Sequence, residues 1–242
     1  PFPGDRTLPR EIMQALVFWL PAFLFSTTVH EAAHAWTALR LGDPTAYLAG
    51  QVSLSPWPHA RRAPLGMLII PLITSLMRGW TIGWAHTPFD RSWADHHPRR
   101  AAVMALAGPL ANLALAATAF ALIQAGLALG IFEAPQTASV QQLVLNALPP
   151  DAMLAGDYLA QGLSVLLALN ALLFVFNLIP LPPLDGTSVL TLVLPRNAAR
   201  SLRSVTSAPG LSFVGIVAAW QLFPALAAPV IAVVVRLLYP HP

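Results

Sequence analysis

The sequence lacks cysteine and lysine and is poor in charge. Because none of its 242 residues is Cys, disulfides, iron–sulfur clusters and thiolate zinc sites are excluded, and His and carboxylate side chains must supply any metal ligands. Charged residues make up 10% of the chain and hydrophobic residues 56%, whereas about 25% of the residues of a soluble domain are charged. This composition excludes an ordinary soluble domain and indicates an integral membrane protein.

The thirteen basic residues are all Arg, and the sequence pI is about 10.2. They are scattered among polar loops instead of forming the basic patch of a nucleic-acid-binding protein. Arg in loops between apolar segments is typical of membrane proteins, whose cytoplasmic loops are enriched in basic residues. We therefore expect a lipid bilayer around the chain and no nucleic-acid partner.

Long apolar runs predict an all-α polytopic membrane protein with about four transmembrane helices. A helix needs about 20 predominantly apolar residues to cross the hydrocarbon core, and runs of at least that length occupy residues 12–39, 101–132, 158–184 and much of 204–235. Prolines at positions 21, 224 and 229 predict kinks in the first and last of them. Prolines at positions 180, 182 and 183 predict the end of the third helix.

The segment between the first two predicted spans is more irregular. Residues 63–77 form an apolar run of only fifteen, which contains Pro71 and is followed by Arg78. A run this short is typical of a re-entrant segment. Weak alternation over residues 47–54 predicts a short strand, and residues 83–88 are predicted to form a second extended piece.

The motif H-E-x-x-H occupies His30, Glu31, Ala32, Ala33 and His34. On a helix, His30 and His34 project from one face a single turn apart, so their imidazoles can share one metal ion. Glu31 lies about 100° round the helix from His30, close enough to take a proton from a metal-bound water without being a ligand. The alternative is an ordinary solvated helix surface, but ionisable groups at a membrane boundary are usually functional.

A zinc ion held by two His needs a third protein ligand before it can hold a reactive water. Asp185 is the best candidate, because it is the only acid after Asp157 and follows the proline-broken end of a span. The alternative is that Asp185 caps a helix that starts near Thr187; the two roles are compatible.

A shared metal also constrains the topology. His30 lies about 27 Å along its helix from Ile12, near the face where that helix leaves the membrane, and Asp185 follows the exit of its own span. If both bind one metal ion, the two helices must run parallel. Since residues 101–132 cross the membrane once between them, residues 63–77 must not cross it. The Arg distribution agrees, because one face then holds the larger group and the other only Arg6, Arg10 and Arg236. The larger group is Arg40, Arg61, Arg62, Arg78, Arg91, Arg99, Arg100, Arg196, Arg200 and Arg203. We predict both termini outside and the metal site towards the cytoplasm.

Three motifs together resemble the site-2 protease family of intramembrane zinc metalloproteases. They are H-E-x-x-H, the N-x-x-P-x-P-x-x-D-G sequence at residues 177–186, and G-P-x-x-N at residues 108–112. Residues 42–46 and 83–85 look like the smaller bacterial members, without a regulatory domain. The resemblance covers most of residues 29–186. It implies one protease domain over 1–242, with a catalytic core at about 12–195 and an extra C-terminal span at 204–238.

The resemblance also implies roles for individual residues. His30, His34 and Asp185 would bind one zinc ion, and Glu31 would be the general base and later the acid. Asn177 would hold the substrate backbone or the developing oxyanion, although an interhelical hydrogen bond is an alternative. Gly108 and Asn112 are as compatible with helix packing as with substrate contact, and the two extended pieces would present an edge to an unwound substrate.

The implied reaction is hydrolysis of peptide bonds in or near the transmembrane segments of single-span membrane proteins. A bacterial cell membrane is the implied location, a regulatory membrane partner is allowed, and the oligomeric state stays open. Three alternatives use the same cluster: a metal transporter or sensor, a zinc hydrolase acting on a lipid or prenylated peptide, and a scaffold without chemistry.

Two positions depart from the family pattern. His86 stands where relatives commonly have Lys, and Arg61 stands where an acid is common two residues after His59. For His59, His86, His96 and His97, a loop or interface role is favoured over a second metal site.

Overall fold

The computed structural model describes residues 9–78, 81–149, 152–206 and 210–240; Arg6 lies outside this part. The α-helices are α1 Arg10–Gln14, α2 Leu20–Arg40, α3 Thr45–Leu48, α4 Pro56–Arg62, α5 Ile70–Arg78, α6 Arg91–His96, α7 Pro98–Ala128, α8 Met153–Asn177, α9 Asp185–Val189, α10 Arg196–Thr206 and α11 Leu211–Leu238. The strands are β1 Phe132–Glu133 and β2 Leu145–Asn146. The described chain is therefore mostly helical, as predicted.

Four helices of the described residues are long and apolar enough to cross a membrane, which confirms the predicted number. They are Arg10–Arg40, Pro98–Ala128, Met153–Asn177 and Gln221–Leu238. The third begins earlier than predicted and ends at Asn177, just before the prolines predicted to end it, because Pro180 cannot donate a helical hydrogen bond and restricts the residue before it. Helix α11 continues through Pro224 and Pro229 without a break.

The first span combines α1, a π-helical segment at Ala15–Trp19 and α2. The π-helical segment ends two residues before Pro21, whose missing N–H and bulky ring prevent a regular bond to the preceding turn. The irregularity predicted at this proline is therefore a local widening of the helix. The helix continues beyond it to Arg40.

Helices α2, α7 and α8 form the centre of the bundle, with α7 in contact with both of the others. Trp19 and Phe23 of the first span pack against Val165 and Leu169 of α8. Helix α8 has buried residues along most of its length, as expected for a helix that is apolar on all sides. A second core joins α7, α8 and α11 and includes Ile123, Leu167 and Ile231.

Residues 41–97 leave and return on one face of the bundle. The guanidinium of Arg100, at the start of α7, donates to the carbonyl of Leu41, at the end of α2, over 3.2 Å. Helices Pro56–Arg62 and Leu65–Met77 lie between these points and are bent by 116° relative to each other. A segment that starts and ends on the same face makes no net crossing, which agrees with the predicted re-entrant segment.

The strands of the structure do not lie where β elements were predicted. The strand predicted at residues 47–54 is wrong. Asp43 Oδ1 accepts hydrogen bonds from the backbone N–H and the hydroxyl of Thr45, which forms a turn, and the short helix α3 begins at Thr45. Gly50, with φ of 73°, follows this turn. Residues 83–88 form neither helix nor strand. The two described strands pair antiparallel in the loop after α7, with Phe132 opposite Asn146.

Candidate metal centre

His30 and His34 lie on buried positions of α2 and face Gly108 of α7. A Cβ built on Gly108 would lie 2.5 Å from His30 Nε2 and would also collide with His34 Nε2. Only a residue without a side chain therefore allows α7 to approach the two rings this closely. The packing interpretation of Gly108 is confirmed, and Gly108 packs against the two His of the candidate metal centre.

Each imidazole is oriented through its Nδ1 atom. His34 Nδ1 donates to the carbonyl oxygen of Met104 over 2.7 Å, since a carbonyl oxygen can only accept. His30 Nδ1 lies 2.6 Å from Oδ1 of Asn112, whose Nδ2 is used to donate to Asn170 Oδ1 over 2.8 Å. Both rings therefore carry their proton on Nδ1, and both Nε2 lone pairs face the same point.

Asp185 meets these two nitrogens from the other side. Its Oδ2 lies 3.1 Å from His30 Nε2 and 3.3 Å from His34 Nε2, and the two Nε2 atoms are 2.9 Å apart. Ligands of a tetrahedral zinc ion at 2.0–2.1 Å are separated by about 3.3 Å. The three side chains form the only group of this kind among the described residues.

The backbone after α8 places Asp185 there. Asp185 is the first residue of α9, and Leu184 is its N-cap residue without a side-chain capping bond, so the alternative of Asp185 as the capping residue is wrong. Gly186 packs against the backbone of the turn after α8: a Cβ on it would lie 2.5 Å from the carbonyl oxygen of Ile179. The Asp-Gly pair thus allows α9 to start close to the end of α8.

The donor set fits a cation. Two neutral imidazole nitrogens and a carboxylate oxygen are all acceptors, and acceptors this close repel each other unless a metal ion or a proton lies between them. Burial raises the pKa of the Asp185 carboxyl, but the imidazoles of His34 and His30, when protonated in the absence of a metal ion, lower it by more, so the pKa lies well below its usual range. The carboxylate is therefore ionised and available as a ligand.

Glu31 is buried at 5% exposure and is not part of the three-ligand group. Its Oε2 accepts a hydrogen bond from the hydroxyl of Thr87 over 2.7 Å. The expectation from the motif, a carboxylate beside the metal ligands but not among them, agrees with this arrangement. Thr87 is a contact that spacing along the sequence did not indicate.

A chain of polar side chains extends from His30 into the bundle. Asn112 of α7 bonds Asn170 of α8, and Asn170 Nδ2 donates to the hydroxyl of Ser26 on α2 over 2.8 Å. All three side chains are fully buried, which is costly in a membrane unless such groups bond one another. Asn170 was missed from the sequence, although an amide inside an apolar run is itself a signal.

The remaining predicted residues lie outside this cluster. Asn177 is partly buried, and its amide donates to the carbonyl of Leu173 in its own helix over 3.0 Å, so this bond is not the interhelical one considered as an alternative. His59, His96 and His97 each bond a backbone carbonyl through one ring nitrogen, which agrees with structural roles. His86 is exposed.

The fold and the site together define a class of protein. A bundle of apolar helices holds an H-E-x-x-H motif, a carboxylate from a distant segment completes a group of three side chains that could hold a metal ion, and a buried Glu lies beside them. This is the donor set of a membrane-embedded metallohydrolase.

Comparison with known proteins narrows this class to one family. Residues 18–221 match the model described as Peptidase family M50. The chain belongs to this family, the site-2 proteases, and is a zinc metalloprotease.

Relatives extend over most of the chain. "Putative zinc metalloprotease YwhC" of Bacillus subtilis (strain 168) is 34% identical over 196 residues, which cover 79% of this chain and 75% of the relative. "Putative zinc metalloprotease Rip2" is 26% identical in Mycolicibacterium smegmatis and 28% identical in Mycobacterium tuberculosis, and each alignment covers 82% of this chain and 66% of the relative. No solved structure matches the chain significantly.

Proposed function

We propose that the chain is an intramembrane protease, which hydrolyses peptide bonds in or near the transmembrane segments of single-span membrane proteins. The observation that carries this proposal is the meeting of His30, His34 and Asp185 within 3.3 Å of one another, at the ends of two membrane helices. In the proposal these three side chains hold one zinc ion, and Glu31 is the catalytic base.

The proposed reaction divides the work between the metal and the protein. Bound zinc would lower the pKa of a water molecule to about 7 and polarise the scissile carbonyl. Glu31 accepts a proton from that water as its oxygen bonds to the carbonyl carbon. Glu31 then gives the proton to the amide nitrogen as the C–N bond breaks, which leaves a carboxylic acid and an amine.

Asn177 is proposed to hold the substrate near the scissile bond. Its amide has two N–H donors and one acceptor, and the bond to Leu173 engages only one donor. The other donor is suited to a substrate carbonyl or the developing oxyanion. Asn177 is the last residue of α8, eight positions before Asp185, so it borders the turn that leads to the centre.

The orientation in the membrane is also a proposal. The site lies on the face where α2 ends and α7 begins, since Met104 and Gly108 contact His34. The predicted Arg-rich face is this one, and basic residues favour the cytoplasm. We propose a bacterial cell membrane, with water reaching the site from the cytoplasm and specificity supplied by the protease domain or by a membrane partner.

Substitution of the base tests the proposal. Glu31→Gln keeps the size of the side chain but cannot accept the proton, so we expect cleavage of a panel of single-span substrates to fall at least about 1,000-fold while the zinc content stays near one ion per chain. Purified protein in detergent or liposomes provides both measurements, with a chelator added in parallel.

Glu133→Gln is the matched control, because Glu133 lies in β1 and is exposed. It should leave cleavage unchanged. Wild-type cleavage that survives the chelator, or that survives Glu31→Gln, would contradict the proposal. Metal flux across liposomes without proteolysis would favour a transporter, and cleavage of lipid or prenylated peptides alone would favour the other hydrolase.

A further inference from the structure

The hydroxyl of Thr87 contacts Glu31 at two points. Its Oγ1 lies 2.7 Å from the carboxylate Oε2 and 3.0 Å from the backbone carbonyl oxygen of the same residue. One hydroxyl has a single proton, so the two acceptors share it or take it in turn. A free Glu side chain has many rotamers. A hydroxyl that bonds both the backbone carbonyl and the carboxylate of Glu31 restricts the side chain to a few of them.

The Thr87 hydroxyl bonds only one of the two carboxylate oxygens of Glu31, Oε2. A general base works only when its accepting atom stays within hydrogen-bond reach of the water that it deprotonates. With Oε2 held by Thr87, rotation of the carboxylate is restricted, and Oε1 keeps one direction. The Thr87 hydroxyl can therefore position the Glu31 carboxylate as well as supply a hydrogen bond to its buried charge.

Thr87 belongs to a segment that several contacts hold in place. We call residues 81–90 the strap; it has no regular secondary structure. At its first end, the hydroxyls of Thr81 and Ser75 are 2.7 Å apart. At its last end, the backbone N–H of Asp90 donates to Asp43 Oδ2 over 2.9 Å, and Asp43 is itself only 1% exposed.

The middle of the strap lies against the re-entrant segment. The N–H of Trp84 donates to the carbonyl of Gly66 over 3.0 Å. A Cβ on Gly83 would collide with the backbone carbonyl oxygen of Gly66 and would lie 2.5 Å from the Phe23 ring and 2.7 Å from the Pro71 ring, so only glycine lets the strap pass this close to its neighbours. The strap therefore has fixed points on both sides of Thr87.

We propose that Thr87 is a positioning residue for the proteolytic reaction, and that the strap holds its hydroxyl against Glu31 so that the carboxylate keeps a productive orientation. The inference rests on the proposed function, in which Glu31 is the base. It adds a residue that acts through Glu31 and not through the three proposed metal ligands.

Two substitutions at Thr87 separate positioning from packing. Thr87→Val keeps the branched shape and removes the hydroxyl, so we expect kcat to fall roughly 10- to 100-fold with little change in KM or zinc content. Thr87→Ser keeps the hydroxyl and should restore most of kcat. Thr118→Val is the matched control, because the Thr118 hydroxyl bonds the Ala114 carbonyl of its own helix, on the bundle surface; it should cleave like wild type.

Three results would overturn the inference. They are wild-type kcat in Thr87→Val, equal loss in Thr87→Ser and Thr87→Val, and a fall in zinc content or thermal stability that accounts for the lost activity. Wild-type protein without any chelator-sensitive cleavage overturns the proposed function, and this inference with it. Normal wild-type cleavage beside an unimpaired Thr87→Val overturns this inference alone.

Discussion

At the scale of single residues, the orientation of each His in the centre depends on a hydrogen bond to a neighbouring residue. The imidazoles of His30 and His34 have fixed tautomers because Asn112 and Met104 accept from their Nδ1 atoms. Such outer contacts typically change metal affinity about 10- to 100-fold when removed. Asn112 bonds Asn170 in turn, so the orientation of one ligand depends on the packing of three helices.

Gly108 is the residue whose replacement should show this dependence most directly. In Gly108→Ala the added methyl group would collide with both Nε2 atoms, so α7 must move away or the rings must turn. We expect the mutant to bind zinc at least about tenfold more weakly and to lose most of its proteolytic activity. Zinc titration of the purified apoprotein measures the first effect.

The control for this change is Gly162→Ala, also within a membrane helix. Nothing lies within 4 Å of the Cβ position of Gly162, so zinc affinity should stay unchanged and helix stability should rise by about 0.5–1 kcal/mol. Equal zinc affinities in Gly108→Ala and wild type would show that the helices can separate without disturbing the ligands.

At the scale of elements, irregular segments complete the site that regular helices begin. Helix α2 carries both His, but Asp185 starts α9 after a proline-rich turn, and Thr87 lies in the strap. Backbone outside helices is tolerated at membrane depth only where protein or water satisfies its polar groups. The strap meets this requirement through bonds to Thr74, Gly66 and Asp43.

The anchor at Asp43 allows the strap to be loosened without touching the centre. Asp43→Ala removes the acceptor of the Asp90 N–H and of the Thr45 hydroxyl. We expect faster hydrogen–deuterium exchange in residues 81–90 and several-fold slower cleavage, with normal zinc content. Asp95→Ala changes an exposed acid of α6 and should alter neither quantity.

Unchanged exchange in the Asp43→Ala strap would mean that the contacts at Thr81 and Trp84 suffice to hold it. Faster exchange with full activity would separate the strap from catalysis. The two measurements on one pair of variants therefore distinguish an anchor from a catalytic support.

At the scale of the whole molecule, the bundle is organised by the direction of its helices. The centre lies in the C-terminal half of α2, just beyond the end of α8 and in the N-terminal half of α7, so α2 and α8 run parallel with α7 antiparallel between them. The end of α11 lies on the opposite face, where the Tyr239 hydroxyl donates to the Leu143 carbonyl over 2.8 Å. A metal ion at the centre would therefore tie the first span to the segment that follows the third.

Such a tie predicts that zinc stabilises the folded protein. Free zinc at about 100 times its Kd adds about 2.7 kcal/mol if the unfolded chain does not bind it. We expect a chelator to lower the Tm of the wild type in detergent and to leave the Tm of Asp185→Ala unchanged, as followed by thermal unfolding. A chelator effect of the same size in both proteins would mean that the stabilising metal binds elsewhere.

Errors of the sequence-based prediction also have a local physical cause. The strand predicted at residues 47–54 relied on weak alternation, but the Asp43 carboxylate bonds Thr45 and starts a helical turn. The last span was predicted correctly in place, although its prolines lie inside a continuous helix. Weak periodicity thus yielded to a turn formed by the Asp43 side chain, and proline inside a membrane helix was tolerated.

The sequence by itself determined the membrane class, the number of spans, the pair of His one turn apart, the adjacent Glu and the Asp after the proline-rich turn, because each depends on composition or on spacing over a few residues. Only the tertiary structure decided that Asn112, Asn170 and Thr87 support these groups, since each contact joins residues from 56 to 144 positions apart. Packing of three helices and one strap, which no local pattern encodes, brings these partners together.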